Sequence, residues 1–173
     1  MRVVPGTARF SRPDRLAIEN DGYLQHLEFH HAIVATGSRP IELADIPVDG
    51  ERIVGSDELL FRDDVPEELV LVGGGYVGVE LGCAYAKLGS RVTIVEAESR
   101  VLPGFDDRIG RAVTKGLRDL GVGLCCDHTA LAVDDAGLRV QGPDGEMVLP
   151  AQVVGVMVGR RPNSDTVGIV EAG

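Results

Sequence analysis

The stretch from Leu69 to Glu96, LVLVGGGYVGVELGCAYAKLGSRVTIVE, constrains the fold of this chain more than any other. It opens on four consecutive apolar residues, Leu69 to Val72, the mark of a strand buried on both faces of a parallel sheet. Gly73, Gly75 and Gly78 follow at GxGxxG spacing. Val77, Leu81, Ala84, Tyr85 and Leu88 then recur every three or four residues and predict a helix that buries them. Lys87 in its last turn and Gly89 just beyond it mark a helix C-terminus. A second apolar run, Val92 to Val95, ends on Glu96 and completes a βαβ unit.

Each part of that unit has its own physical reason. Gly73 permits the tight turn out of the strand, Gly75 lets a pyrophosphate approach the backbone, and Gly78 lets helix and strand pack closely. The positive end of the helix and its free N–H groups then face the phosphates. Glu96 stands 23 residues beyond Gly73, near the usual place of the acid that accepts hydrogen bonds from an adenosine ribose. A glycine-rich turn alone is weak evidence, because such turns also serve packing in other α/β domains. Here a strand precedes it, a helix follows, and an acid ends the next strand, so dinucleotide binding is the reading.

The 173 residues suit one domain, or one domain with part of another. A formal charge of −10 speaks against nucleic acid as a partner, since phosphate binding needs a basic surface. No apolar run has the length of a membrane span, and no partner in a membrane is expected. The three cysteines form no disulfide framework and no CxxC pair, which points to a cytoplasmic chain without a dithiol centre of its own. Cys83 reads as a small core residue. Cys125 and Cys126, adjacent near the end of a strand, should point to opposite faces, so a disulfide between them would be strained. His26, His30 and His31 have no further ligand at useful spacing, and no metal is expected.

Along the chain, residues 1–34 read as short antiparallel strands. Arg15 to Glu19 and Tyr23 to Phe29 flank the hairpin turn Asn20-Asp21-Gly22. Ala32 to Ala35 reads as an apolar strand that ends at the small-residue turn Thr36-Gly37-Ser38. A short helix is expected around Ser56 to Phe61, and Pro66 reads as a hinge into the βαβ unit. After a loop from Ala97 to Asp107, a helix capped by Asp106 or Asp107 should bury Ile109, Val113, Leu117 and Leu120 and stop at Gly121. Val122 to Cys126 would be a third parallel strand, Thr129 to Leu149 an antiparallel meander, and Val153 to Val158 a return to the parallel sheet.

Three motifs thus stand in one order: ATGSRP at Ala35 to Pro40, GGGYVGVELG at Gly73 to Gly82, and GRRPN at Gly159 to Asn163. This arrangement resembles the pyridine nucleotide–disulfide oxidoreductase family. The resemblance implies an α/β chain in which residues 67–162 form a Rossmann-like NAD-binding domain, with a parallel sheet plus an antiparallel meander. Residues 1–66 would be part of an FAD-binding domain rich in antiparallel strands, and residues 163–173 the start of a return into it. It implies that Gly73, Gly74, Gly75, Tyr76, Val77 and Gly78 hold the NAD pyrophosphate and Glu96 the ribose. Ala130 would lie on the adenine side and Gly159 near the nicotinamide, while Gly6, Thr36, Gly37 and Ser38 would contact FAD. Glu80 matches an acid beside the flavin that pairs with a lysine; without the resemblance it reads as a solvent-facing helix residue. Arg39 and Arg161 read otherwise as surface charges.

In the kind of member that the sequence resembles most, a hydride would pass from a dithiol substrate through a disulfide and FAD to NAD, and members of this family share several further parts. They carry a first FAD-binding βαβ unit, a redox-active cysteine pair, the lysine partner of Glu80 and a dimerisation domain with a His-Glu pair. None of these lies within residues 1–173, so the chain is expected to be a fragment, inactive alone, of a homodimeric enzyme that can serve a 2-oxoacid dehydrogenase complex. The carboxylate at Glu96 favours NAD over NADP, with Arg91 and Arg100 the nearest cations in sequence that could rescue a 2′-phosphate.

Overall fold

The computed structural model describes residues 2–172. The elements run β1 (Thr7–Arg12), β2 (Arg15–Asn20), β3 (Tyr23–Glu28), β4 (Ser38–Pro40), β5 (Ile53–Val54), α1 (Ser56–Leu60), β6 (Glu68–Val72), α2 (Tyr76–Leu88) and β7 (Arg91–Val95). They continue with α3 (Asp107–Asp119), β8 (Gly123–Cys125), β9 (Thr129–Asp134), β10 (Gly137–Gly142), β11 (Gly145–Leu149), β12 (Val153–Val156), β13 (Arg160–Pro162) and α4 (Ile169–Ala172). The chain divides into two compact units. One comprises the chain up to Arg39 together with the chain from Arg160 onward; the other runs from Pro40 to Gly159.

The larger unit is built on a five-stranded sheet in the order β5-β12-β6-β7-β8, parallel throughout. Its strands read as continuous apolar runs because both faces are covered. Leu69 and Leu71 of β6, Val92 and Ile94 of β7, and Val153 of β12 point to one side, where they meet Leu59 of α1, Leu81 and Tyr85 of α2 and Leu117 of α3. Val70, Val72, Val95, Val154 and Val156 point to the other side, against Leu138 and Val140 of the meander. The meander has the order β11-β10-β9 and is antiparallel, as the turn residues Asp135-Ala136 and Pro143-Asp144 imply. Helices, parallel sheet and antiparallel meander are thus three successive layers.

Several expectations change here. Residues 40–66 fold with the larger unit: β5 extends the parallel sheet beside β12, and Tyr85 Oη of α2 donates to the Leu59 carbonyl of α1 at 2.7 Å. Pro66 is no hinge, for it is buried and its carbonyl accepts from Ser90 Oγ at 2.6 Å. On α2, Leu88 is 62% exposed and Ala84 is exposed; the packed face is Gly78, Leu81, Gly82 and Tyr85. Glycines on that face let the helix settle on the sheet, since a Cβ at Gly82 would already press Ile94 Cδ1 at 3.1 Å. Ile109 of α3 is 47% exposed and Leu120, its C-cap, 39% exposed, and contact runs through Gly110, Val113 and Leu117. Asp106 is the cap, accepting from Arg108 N at 2.9 Å.

In the smaller unit β1-β2-β3 form an antiparallel sheet, and the β2–β3 turn places Asp21 and Gly22 at positive φ, as a two-residue hairpin demands. Phe10 meets Phe29 edge-on at 5.9 Å and donates its N–H to Val167 O. The strand expected at Ala32 to Ala35 does not form. No ladder partner flanks it among the described residues, and Ile33 is 94% exposed. His26, His30 and His31 are exposed, and among the described residues no three His, Cys, Asp or Glu side chains gather as a metal set. β4 and β13 pair, with bonds from Ile41 N–H to Gly159 O and from Asn163 N–H to Gly37 O that make the ribbon antiparallel.

Candidate functional site

The parallel sheet ends, at the carboxyl ends of β12, β6 and β7, in a row of turns that carries most of the residues singled out above. Gly73 leaves β6 with φ +110°, and its N–H donates to Val95 O at 2.8 Å. A Cβ there would stand 2.5 Å from Met157 O. A Cβ on Gly78 would run into the Gly73 carbonyl. The protein's own packing therefore requires glycine at both positions. Gly75 differs: a Cβ would meet nothing within 4 Å. It is the N-cap of α2, and no side chain caps that helix. The orphan N–H groups of Tyr76, Val77 and Gly78 are therefore available to an anion.

Glu96, just past β7, is 9% exposed and closes the other side of the turn. Its Oε2 accepts the Gly74 N–H at 2.7 Å and its Oε1 the Glu98 N–H at 2.9 Å. Two backbone donors satisfy part of a buried carboxylate and leave lone pairs for further donors such as ribose hydroxyls. The β8–β9 connection runs alongside, with Glu96 N–H on Cys125 O and His128 N–H on Glu96 O. Ala130 follows at the start of β9. On the opposite flank of β6, Met157 N–H donates to Val72 O, and Gly159 lies two residues further along. Gly159, the Gly73–Gly78 turn and Glu96 thus follow one another across three adjacent strand ends, the span a dinucleotide covers at such an edge.

A segment treated in the sequence as a plain loop belongs to this arrangement. Leu102 N–H donates to Gly74 O at 2.8 Å, so both backbone groups of Gly74 are held, one by Glu96 and one by Leu102. The one sequence cue to this segment is the Pro103-Gly104 turn after an arginine, and it does not reveal the contact with Gly74.

The remaining candidates lie elsewhere. Glu80 is exposed on α2. In the smaller unit, Thr36 Oγ1 donates to Asn163 O, and Ser38 Oγ accepts from Arg160 Nε at 2.8 Å. Arg39 is no idle surface charge: it makes a two-pronged pair with Asp165 and donates to Asn163 Oδ1 at 2.9 Å. Gly6 has φ +137°, and a Cβ would stand 2.6 Å from Glu19 O, so strand packing accounts for that glycine. Cys125 packs toward the meander layer and Cys126 toward the helix layer. Their thiols are free, and burial pushes both thiols up in pKa.

The chain is similar to several known proteins. A dihydrolipoyl dehydrogenase of Pseudomonas aeruginosa is 42% identical over 165 residues, which take in 94% of this chain and 35% of the relative. The crystal structure of LpdA from Mycobacterium tuberculosis superposes with a TM-score of 0.84 at 30% identity, covering 99% of this chain and 39% of that one. A NAD-dependent persulfide reductase from A. fulgidus superposes with a TM-score of 0.72 at 25% identity, over 94% of this chain and 32% of that one. The chain thus spans little more than a third of the length of the curated relatives it matches. The family model for pyridine nucleotide-disulphide oxidoreductases matches residues 1–173. The chain belongs to the pyridine nucleotide-disulphide oxidoreductase family.

Proposed function

We propose that this chain is the NAD-binding portion of a flavin-dependent disulfide oxidoreductase, with dihydrolipoamide as the substrate of the whole enzyme. The observation that carries this reading is Gly75. Its two partner glycines are required by the protein's packing, but the space where its side chain would be is open and faces the uncapped start of α2. A phosphate group fits that requirement. The 42% identity to a dihydrolipoyl dehydrogenase supports the choice of substrate.

In this reading the uncapped N–H groups of Tyr76, Val77 and Gly78 bind and orient the pyrophosphate on the Gly73–Gly78 turn, and Glu96 accepts from the adenosine ribose. Ala130 borders the adenine side, and Gly159 leaves room beside the nicotinamide. When bound, the nicotinamide accepts the hydride that such an enzyme withdraws from dihydrolipoamide through a disulfide and FAD. Gly6, Thr36, Gly37 and Ser38 belong to the FAD side, and Glu80 is the acid that faces the flavin. The enzyme as a whole is cytoplasmic and homodimeric and serves a 2-oxoacid dehydrogenase complex. Among the described residues no helix is long and apolar enough to cross a membrane. The likeness to a NAD-dependent persulfide reductase favours a second reading, the same NAD portion in a reductase for another sulfur substrate. The same NAD portion in an NADH oxidase, a mercuric reductase or a ferredoxin reductase is a further alternative, and a stand-alone dinucleotide-binding module without turnover is a separate reading.

Calorimetric titration of the purified chain with NAD tests the core of the proposal. Saturable binding that Gly75→Val abolishes is the expected result, and absence of binding to the folded chain overturns it. Activity toward dihydrolipoamide against a persulfide, measured on the protein encoded by the complete reading frame, separates the two substrate readings.

A further inference from the structure

We propose that Arg100 is a positioning residue of the dinucleotide site: it folds residues 97–106 into a clamp that holds Gly74 and thereby sets the turn on which the pyrophosphate rests. The inference depends on the NAD reading above and adds a residue to it.

Arg100 spends its guanidinium inside its own loop. Nη1 donates to Leu102 O at 3.0 Å, and Nη2 donates to Pro103 O at 3.0 Å and Phe105 O at 2.9 Å, with Asp107 Oδ1 3.1 Å away. The planar fork spreads these bonds over two nitrogens held a fixed distance apart, a geometry that the single nitrogen of an ammonium group does not reproduce. The loop it closes is under local strain. Leu102 has φ +53°, a region bulky residues rarely enter, and it is held there with its side chain 6% exposed in the helix-side core. The strained residue is the one whose N–H binds Gly74 O at 2.8 Å. The same loop begins at Glu96, which binds the Gly74 N–H. Arg100 therefore acts on Gly74 through Leu102, and Gly74 in turn is the residue that Glu96 grips.

A second element makes room for this. Gly110 of α3 is buried against the guanidinium, and a Cβ there would lie 2.8 Å from Arg100 Nη1. Alanine at 110 would favour the helix itself while displacing the end of the arginine. The two effects have opposite signs, which gives the proposal a readout that simple destabilisation does not share.

The test uses the full chain with NAD as the probe, read by calorimetry, and with hydrogen exchange of the Gly74 and Leu102 amides measured without NAD. Arg100→Met is expected to weaken NAD on the order of tenfold, as loss of charge-assisted contacts would. Arg100→Lys should recover only part of this. Exchange at Leu102 and Gly74 should quicken while the β6 and β7 amides stay protected. Gly110→Ala should weaken NAD without lowering the melting temperature, and it serves if Arg100→Met folds poorly. In a cycle with Glu96→Gln the two penalties should be less than additive, because both act through Gly74. Wild-type binding that Arg100→Met and Gly110→Ala leave unchanged overturns this proposal alone, as do penalties that add. A wild-type chain that binds no NAD overturns the NAD reading and this proposal with it, even where the exchange rates respond.

Discussion

The Glu96 carboxylate accepts the Gly74 N–H at 2.7 Å, so the acid at the end of β7 is also a brace for the turn at the end of β6. With Glu98 N–H on its other oxygen, it is a buried group with two backbone clients. Glu96→Gln presents an NH2 group to one of those N–H donors. This should cost about 1–3 kcal/mol of stability by leaving a donor unmatched. Glu96→Ala should cost a similar amount and weaken NAD further, since no acceptor remains for the ribose. Urea unfolding of the two variants, set beside NAD titration, checks both halves. A Gln variant as stable as wild type would remove the bracing role.

The glycine turn predicts a division of labour between stability and binding. Gly75 has φ −70° with open space around it, so Gly75→Ala should change stability by less than about 0.5 kcal/mol. If the proposed site is right, the added methyl occupies the space meant for the pyrophosphate, and NAD should bind at least about tenfold more weakly. Gly78→Ala drives a methyl into the Gly73 carbonyl and should cost about 1–3 kcal/mol by overpacking. Thermal melts and NAD titrations of both variants give the comparison. Equal loss of stability in the two would contradict it.

Asp49 predicts a pH effect ahead of β5. Its Oδ1 accepts from Glu51, Arg52 and Ile53 N–H groups at 2.8–2.9 Å. Burial pushes its pKa up, but the backbone donors outweigh that and hold it below 3.8. A carboxyl lowered in the folded state contributes stability above its unfolded value, and that contribution is lost as pH falls through the folded value. Asp49→Ala should therefore cost about 1 kcal/mol at neutral pH. The gap between mutant and wild type should narrow as the pH drops below 3.8. Denaturant unfolding at neutral pH and at successively lower pH measures the gap; a constant gap would count against the bond network as its source.

What the sequence made legible follows from period and spacing. A run such as Leu69 to Val72 can be read because burial on both faces of a parallel sheet leaves no polar alternation, and the two core layers confirm the reason. The glycine turn was legible because Gly73 and Gly78 answer steric demands of the protein's own packing, at a spacing that the flanking strand and helix make recognisable. β5 was not, since Ile53–Val54 is two residues whose state is set by β12 beside it. The stripe on α3 was misjudged because Ile109 and Leu120 fit a helical period, yet Gly110, with no side chain, is the residue in contact. Apolar character likewise suggested a strand at Ala32 to Ala35, but a strand needs a neighbour to bond with. The Arg100 loop escaped entirely, because its bonds go to carbonyl groups, which every residue carries.

The structure sharpens the choice between NAD and NADP. A 2′-phosphate beside Glu96 would set two negative charges about 4 Å apart, a repulsion on the order of 4 kcal/mol at an effective dielectric near 20 before salt and relaxation reduce it. Two arginines stood near enough in sequence to relieve it, and the fold withholds both. Arg91 begins β7, so a strand of five residues at about 3.3 Å each separates it from Glu96, and it pairs with Glu68 at 2.8 Å. Arg100 is committed to three carbonyls. Releasing it for a phosphate would undo the loop that holds Gly74. NAD should therefore bind at least about tenfold more tightly than NADP, a margin smaller than the unscreened repulsion because salt and side-chain movement recover part of it. Glu96→Ala should erase most of that margin, chiefly by weakening NAD. Equilibrium titration of wild type and mutant with both cofactors decides it, and equal wild-type affinities would remove Glu96 from the ribose site.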